Sequence, residues 1–236
     1  MEFHPQKCQL LRITNKKKPI KYSYNIHNVI LEETSSAKYL GVVIDSKLQF
    51  KEQHAAVINK SNRILSFLQR NIGGCPTHIK ANCYKTLVRP ILEYGCAVWD
   101  LHHGSTIDKI EQVHKRASRF ATGNYKLEHG NTNLNMQKLN WKPLEERRAF
   151  IKINLFFKGH KGAIDIPFEH LKLAPSQTRR PWTYAIPTSN IDCHLYSFFP
   201  NTTRLWNSLP ADVKHSVNAD DLKKKLDKII LRSAYP

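Results

Sequence analysis

Lys38-Tyr39-Leu40-Gly41-Val42-Val43-Ile44-Asp45 is the stretch on which the fold turns. Residues 39–44 form an apolar, β-branched run bounded by polar residues, and they read as a strand. From Asp45 onward the period lengthens. Phe50, His54, Val57, Ile58, Ser61, Leu65 and Leu68 fall on one face of a helix, while Lys51, Lys60, Arg63 and Arg70 lie mostly on the others. A strand-rich opening that gives way to helices predicts an α+β class: a small, partial antiparallel sheet, then a mainly helical body.

Toward the N-terminus the strand texture continues. Cys8-Gln9-Leu10-Leu11-Arg12-Ile13 is a short apolar run, and Lys16-Lys17-Lys18-Pro19 breaks it as a turn. Tyr22, Tyr24 and Ile26 alternate with polar residues, and Val29-Ile30-Leu31 is a further candidate strand.

Toward the C-terminus the helical spacing persists. Asn71-Ile72-Gly73-Gly74 stops the first helix and Pro76 suits the first turn of the next. Ile79, Cys83, Tyr84, Leu87 and Val88 form its expected stripe, and Pro90 kinks or ends it before a buried segment over 91–99. Ile107, Ile110, Val113 or His114, Ala117 and Phe120 mark a third helix; Leu144, Arg148, Ile151 and Leu155 mark a fourth. Beyond about residue 158, Pro167, Pro175, Pro181, Pro187, Pro200 and Pro210 recur, with aromatic clusters at 182–184 and 196–199 that need burial. This predicts an irregular extension packed on the helices, closed by a lysine-rich helix over 220–231. No internal repeat or low-complexity tract is seen.

Charge narrows the partners. Lys plus Arg number 37 against 19 Asp plus Glu, a net +18 over 236 residues. Such an excess favours a polyanion, nucleic acid first and an anionic membrane surface second. No stretch approaches the ~20 apolar residues of a membrane span. The opening residues lack a basic region followed by an apolar core, so no secretory signal is expected. Five scattered cysteines argue against a disulfide scaffold and fit a reducing, intracellular compartment, nucleus or cytoplasm alike.

Most chemistry-bearing residues have plain structural readings. Cys75, His78 and Cys83 lack a convincing fourth ligand for zinc. His102-His103 precedes a Gly-Ser turn, and Cys193-His194 sits beside an aromatic cluster, which suits packing. Asn218-Ala219-Asp220-Asp221 offers paired acids, but a helical pattern follows immediately. Asn218 therefore reads as an N-cap, with both acids at the positive end of the helix dipole. No glycine-rich phosphate cradle or nucleophile elbow occurs.

Several blocks, in order, resemble a known family. Phe3-His4-Pro5-Gln6-Lys7-Cys8, an apolar strand, and then Lys38-Tyr39-Leu40-Gly41-Val42 are similar to polymerase motifs D and E of the late palm of non-LTR, LINE-type (jockey-like) reverse transcriptases. Leu87-Val88-Arg89-Pro90-Ile91-Leu92-Glu93-Tyr94-Gly95 with Val98-Trp99 resembles that family's thumb region, as does 111–120, Glu-Gln-Val-His-Lys-Arg-Ala-Ser-Arg-Phe. Leu144-Glu145-Glu146-Arg147-Arg148, Ser197-Phe198-Phe199-Pro200 and Leu205-Trp206-Asn207-Ser208-Leu209-Pro210 fit the later blocks.

The resemblance implies the end of a palm over 1–46, a helical thumb over 47–158 and a C-terminal extension over 159–236. It implies RNA or an RNA–DNA hybrid as partner, with the N-terminal polymerase portion as a further one. Lys7 stands at the motif D lysine, and Tyr39-Leu40-Gly41 at the hairpin that supports the primer end. Phosphate-tracking cations are expected at Arg63, Arg70, Lys115, Arg116, Arg119, Arg147 and Arg148. The family's catalytic aspartates and their Mg²⁺ belong to motifs before the matched blocks. The expectation is thus no catalytic residue and no cofactor in this chain, and gripping without polymerising. A domesticated, non-catalytic interaction protein and a fragment with no independent function are the alternatives.

Overall fold

The computed structural model describes residues 4–100, 102–126, 130–166, 171–173 and 182–229. Phe3 of the first matched block, Pro167, Pro175, Pro181 and the end of the last helix from residue 230 lie outside them. The chain divides into two compact units, Met1–Ala56 and Val57–Pro236.

The first unit holds three two-stranded pairs. β1 (Gln9–Leu11) runs parallel to β4 (Glu32–Thr34), β2 (Asn25–Ile26) is antiparallel to β3 (Val29–Ile30), and β5 (Ser36–Tyr39) is antiparallel to β6 (Val42–Asp45). The expected antiparallel sheet is therefore corrected twice: one pair is parallel, and the pairs form separate two-stranded sheets. The alternating stretch 22–26 also pairs as a strand only at its end.

The expected strand over 39–44 is broken by a two-residue turn. Leu40 and Gly41 take φ of 45° and 85° between the paired residues Tyr39 and Val42. Positive φ at both central positions is the type I′ pattern, whose twist matches the flanking strands. His27 and Asn28 do the same between β2 and β3, at 50° and 62°. Arg12 ties the long loop down. Its guanidinium pairs with Glu33 at 3.0 Å and donates to the carbonyls of Ile20 (2.6 Å) and Tyr22 (3.4 Å).

Asp45 ends β6 and turns the chain toward the first helix, accepting backbone N–H bonds from Lys47, Gln49 and Phe50 at 2.9, 3.1 and 2.6 Å. Partial burial works to raise its carboxyl, but these bonds outweigh burial and hold it below the usual carboxylate range.

The unit boundary falls within α1 (Lys51–Ile72). The second unit continues with α2 (Thr77–Cys83), a π-turn at Tyr84–Val88, α3 (Arg89–Glu93), α4 (Cys96–Trp99), α5 (Gly104–Thr122), α6 (Asn131–Lys138) and α7 (Leu144–His160). Pro90 neither ends nor simply kinks its helix. Proline has no N–H to donate and its ring crowds the preceding turn. The widened turn absorbs this, with the Arg89 N–H bonding Tyr84 O five residues back. Along this segment Ala81, Tyr84, Val88, Leu92, Cys96 and Trp99 are buried while Ile79 and Leu87 are exposed, the added residue of the π-turn rotating the positions that follow it. The expected stripe is corrected accordingly.

Residues 192–226 are more helical than their prolines suggest: α8 (Asp192–Leu195), α9 (Phe198–Ser208), α10 (Ala211–Lys214) and α11 (Ala219–Leu226). They close one core with α7, in which Ile153, Phe156, Phe157, Tyr184, Leu205, Trp206, Val213, Leu222 and Leu226 are buried together. Trp206 donates to Trp182 O at 2.7 Å, and the Asn207 side chain bonds both the N–H and the C=O of Tyr184. Asn218 caps α11 by accepting the Asp221 N–H at 2.9 Å, while Asp221 accepts the Val217 N–H at 3.1 Å. Asp221 also pairs with Lys225 at 2.8 Å.

A second polar knot lies between α5 and the π-turn. Tyr84 Oη and His114 Nδ1 are 2.6 Å apart, and His114 Nε2 lies 3.1 Å from Lys142 O. A carbonyl only accepts, so Nε2 carries the proton and Nδ1 accepts from the tyrosine. Trp141 stacks on both rings. Burial pushes the imidazole down to about 4, so it is neutral in the fold. The unfolded chain takes up this proton near pH 6.5, and the fold does not until about pH 4. Stability should be fully present above pH 6.5, fall as pH drops toward 4, and level off below, by about 3 kcal/mol at most. Urea unfolding of the wild type and His114→Gln across that interval checks this; the variant should show the smaller loss.

Candidate nucleic-acid interface

Two helices of the second unit carry cations at the surface. α1 buries Val57, Ser61, Leu65 and Leu68, and α5 buries Ile110, Val113, His114, Ala117, Phe120 and Ala121. Helical periodicity then turns the remaining positions outward. On α1 these include Lys60, Arg63 and Arg70, all exposed, with Phe67 among them at 53% exposure. On α5 Lys115 is exposed and Arg116 and Arg119 are half-buried.

One side-chain contact joins the two helices. Arg116 Nη1 donates to Asn62 Oδ1 at 3.0 Å, which fixes one edge of its guanidinium beside the residue preceding Arg63. Lys115 and Arg119 stand four apart on α5, neighbours along one side of the helix. The arrangement is a set of cations held on rigid helices, with one aromatic ring exposed among them.

The other expected cations are placed differently. Arg147 forms a two-point pair with Glu93, one contact being Nη2 to Oε2 at 3.0 Å, and Arg89 also reaches Glu93, at 3.8 Å. The bond to Glu93 outweighs burial and raises the Arg147 guanidinium above its ordinary value. Much of its charge is thus answered inside the protein. Arg148 is a correction: it is buried, not on a surface face. Its Nε lies 3.0 Å from Asp100 Oδ1, and Lys152 holds the other carboxylate oxygen. The spacing had put Arg148 on the apolar stripe of its helix, and that signal outranked its charge. Lys152 and Asp100 carried no sequence signal of pairing.

In the first unit, Lys7 is exposed in a short 3₁₀ turn, Pro5–Lys7. Tyr39 and Leu40 are exposed at the tip of the β5–β6 hairpin, with Gly41 completing the turn. A leucine held at φ 45° is a departure from the residues that such turns prefer.

Two relatives decide what this architecture is similar to. The chain is 27% identical over 101 residues to a probable RNA-directed DNA polymerase from transposon X-element of Drosophila melanogaster, a segment that is 42% of this chain. It is 27% identical over 129 residues, 52% of its length, to the corresponding protein from transposon BS of the same fly. The chain contains a reverse-transcriptase-like region. The matches span 11% and 14% of the lengths of those polymerases, so the chain resembles a small part of each. No protein-family profile matches, and no solved structure does.

Among the described residues of this reverse-transcriptase-like chain, no group of three or more His, Cys, Asp or Glu side chains could hold a metal ion. The Asp221 carboxylate accepts the Val217 N–H and pairs with Lys225. Cys75, Cys83 and the other three cysteines are free thiols. No helix among the described residues is long and apolar enough to cross a membrane.

Proposed function

We propose that this chain is the nucleic-acid-gripping part of a transposon RNA-directed DNA polymerase, and that it holds an RNA–DNA hybrid, or RNA, by its phosphates. In this reading the strand pairs of residues 9–45 correspond to the end of the palm, and α1 to α7 to the thumb. α8 to α11 form the C-terminal extension. The observation that supports the reading is the set of cations that α1 and α5 leave at the surface, with Lys60, Arg63, Arg70 and Lys115 exposed and Arg119 half-buried, on helices that touch through Arg116 and Asn62.

Cations set on a rigid helix track a sugar–phosphate backbone by charge and read no sequence. A hybrid or RNA helix has a wide, shallow minor groove and is recognised by shape, which suits such a face. The hairpin tip at Tyr39-Leu40-Gly41 supports the primer strand, and Lys7 occupies the position of the motif D lysine. A protein-interaction role is the second reading, favoured by the exposed Ile79, Leu87, Tyr94 and Val98 of the second unit.

The test pairs two assays on the full chain. Fluorescence anisotropy with a labelled hybrid of ~16 base pairs at low salt should show binding, and primer extension with Mg²⁺ or Mn²⁺ should show no added nucleotide. Absence of hybrid binding overturns the gripping role. Robust extension overturns the reading that polymerisation needs more than these residues.

A further inference from the structure

The loop and hairpin of the first unit carry a second cationic surface, unlike the helical one. From Ile13 to Leu31 there is no acidic residue, while Lys16, Lys17, Lys18 and Lys21 all fall within it. All four lysines are exposed. Among them stand large side chains that a folded unit ordinarily covers: Ile20 at 71% exposure, Tyr22 at 67% and Tyr24 at 49%.

Their placement is fixed. Arg12 holds the carbonyls of Ile20 and Tyr22, and the Leu31 N–H bonds Tyr24 O at 2.8 Å, extending the β2–β3 ladder by one step. Carbonyls two apart that meet one guanidinium mark a locally extended backbone, on which Ile20, Tyr22 and Tyr24 project to one side. The row runs into a hairpin whose tight turn fixes its register.

We propose that this row is a stacking platform for single-stranded nucleic acid: unpaired bases lie on the Tyr22 and Tyr24 rings, and Lys16, Lys17, Lys18 and Lys21 meet the phosphates. Charge selects the occupant. An apolar protein partner would cover the rings but leave Lys16, Lys17 and Lys18 without counter-charge, Glu33 being near Lys21 alone among the four. A duplex would answer the lysines but offer no open base face to the rings. A single strand presents both in alternation, and stacking on aromatic side chains is tolerant of sequence. This surface is independent of the α1–α5 face, and either can fail without the other.

Binding of the full chain to a 12-nucleotide oligouridine carrying 2-aminopurine, and separately to a blunt RNA–DNA hybrid, tests it. Tyr22→Ala with Tyr24→Ala should weaken single-strand binding about tenfold or more, leave the hybrid affinity within twofold, and abolish the change in 2-aminopurine emission. Tyr22→Phe with Tyr24→Phe keeps the rings and should bind as the wild type. Unchanged single-strand affinity in the alanine variant overturns the proposal, as does equal loss in the phenylalanine variant. So does a wild type that binds no single strand at low salt, whatever the hybrid result.

Discussion

Asp100→Ala should lower the stability of the protein by about 3–5 kcal/mol, measured as the change in free energy of urea unfolding. The carboxylate is 6% exposed and answers two cations, Arg148 at 2% and Lys152 at 1%. Removing it leaves both buried without their counter-ion. Glu111 lies within electrostatic reach of Arg148, but among the described residues Lys152 has no such second acid and Arg148 Nη1 has no hydrogen-bond partner. The thiol of Cys96, pushed up to about 12 chiefly by burial, stays neutral and offers no negative charge. Asp220→Ala, at the start of α11 and away from that triad, should change stability by less than about 0.5 kcal/mol. A loss below 1 kcal/mol at Asp100 would mean that the carboxylate does not balance the two cations.

The largest effect on binding is expected from reversing charge on the joined helical face. Arg63→Glu, Arg70→Glu, Lys115→Glu and Arg119→Glu together should weaken hybrid binding at least 100-fold at low salt, since four attractive phosphate contacts become repulsive. Among the described residues none of the four forms an ion pair, and Arg63, Arg70 and Lys115 are exposed, so the unfolding midpoint should move little. Arg148→Glu would also abolish binding, but through unfolding, and its circular dichroism would show it. Anisotropy titrations alongside far-UV spectra separate the two causes.

How much of this was written plainly in the sequence depends on which force sets each residue. The change of period at Asp45 was legible because α1 buries one face, so apolar spacing reports the helix directly. Asn218 was legible as a cap because its side chain has a local partner, the Asp221 N–H, three residues on. The turn at Leu40-Gly41 was obscured because Leu40 is a poor turn residue; only the glycine hinted at it. The π-turn was hidden because one added residue leaves composition unchanged while rotating every later side chain. α9 escaped notice because its buried face includes Pro200, Asn201, Thr202 and Thr203 beside Leu205 and Trp206, so no apolar stripe marks it.

The basic face was the most legible part and the least uniform. Arg63, Arg70 and Lys115 lie where charge and helical spacing agree. Arg147 and Arg148 follow the same composition yet meet Glu93 and Asp100, acids 54 and 48 residues earlier in the chain. Only the fold brings those pairs together, so a run of arginines alone could not separate a phosphate contact from an internal counter-ion.

The salt dependence of hybrid binding goes most directly to the heart of the account. If α1 and α5 hold the backbone, log K should fall linearly with log salt, and the four-glutamate variant should show a slope shallower by about three or more. A wild-type affinity indifferent to salt between about 50 and 200 mM, or a variant whose slope matches the wild type, would contradict it.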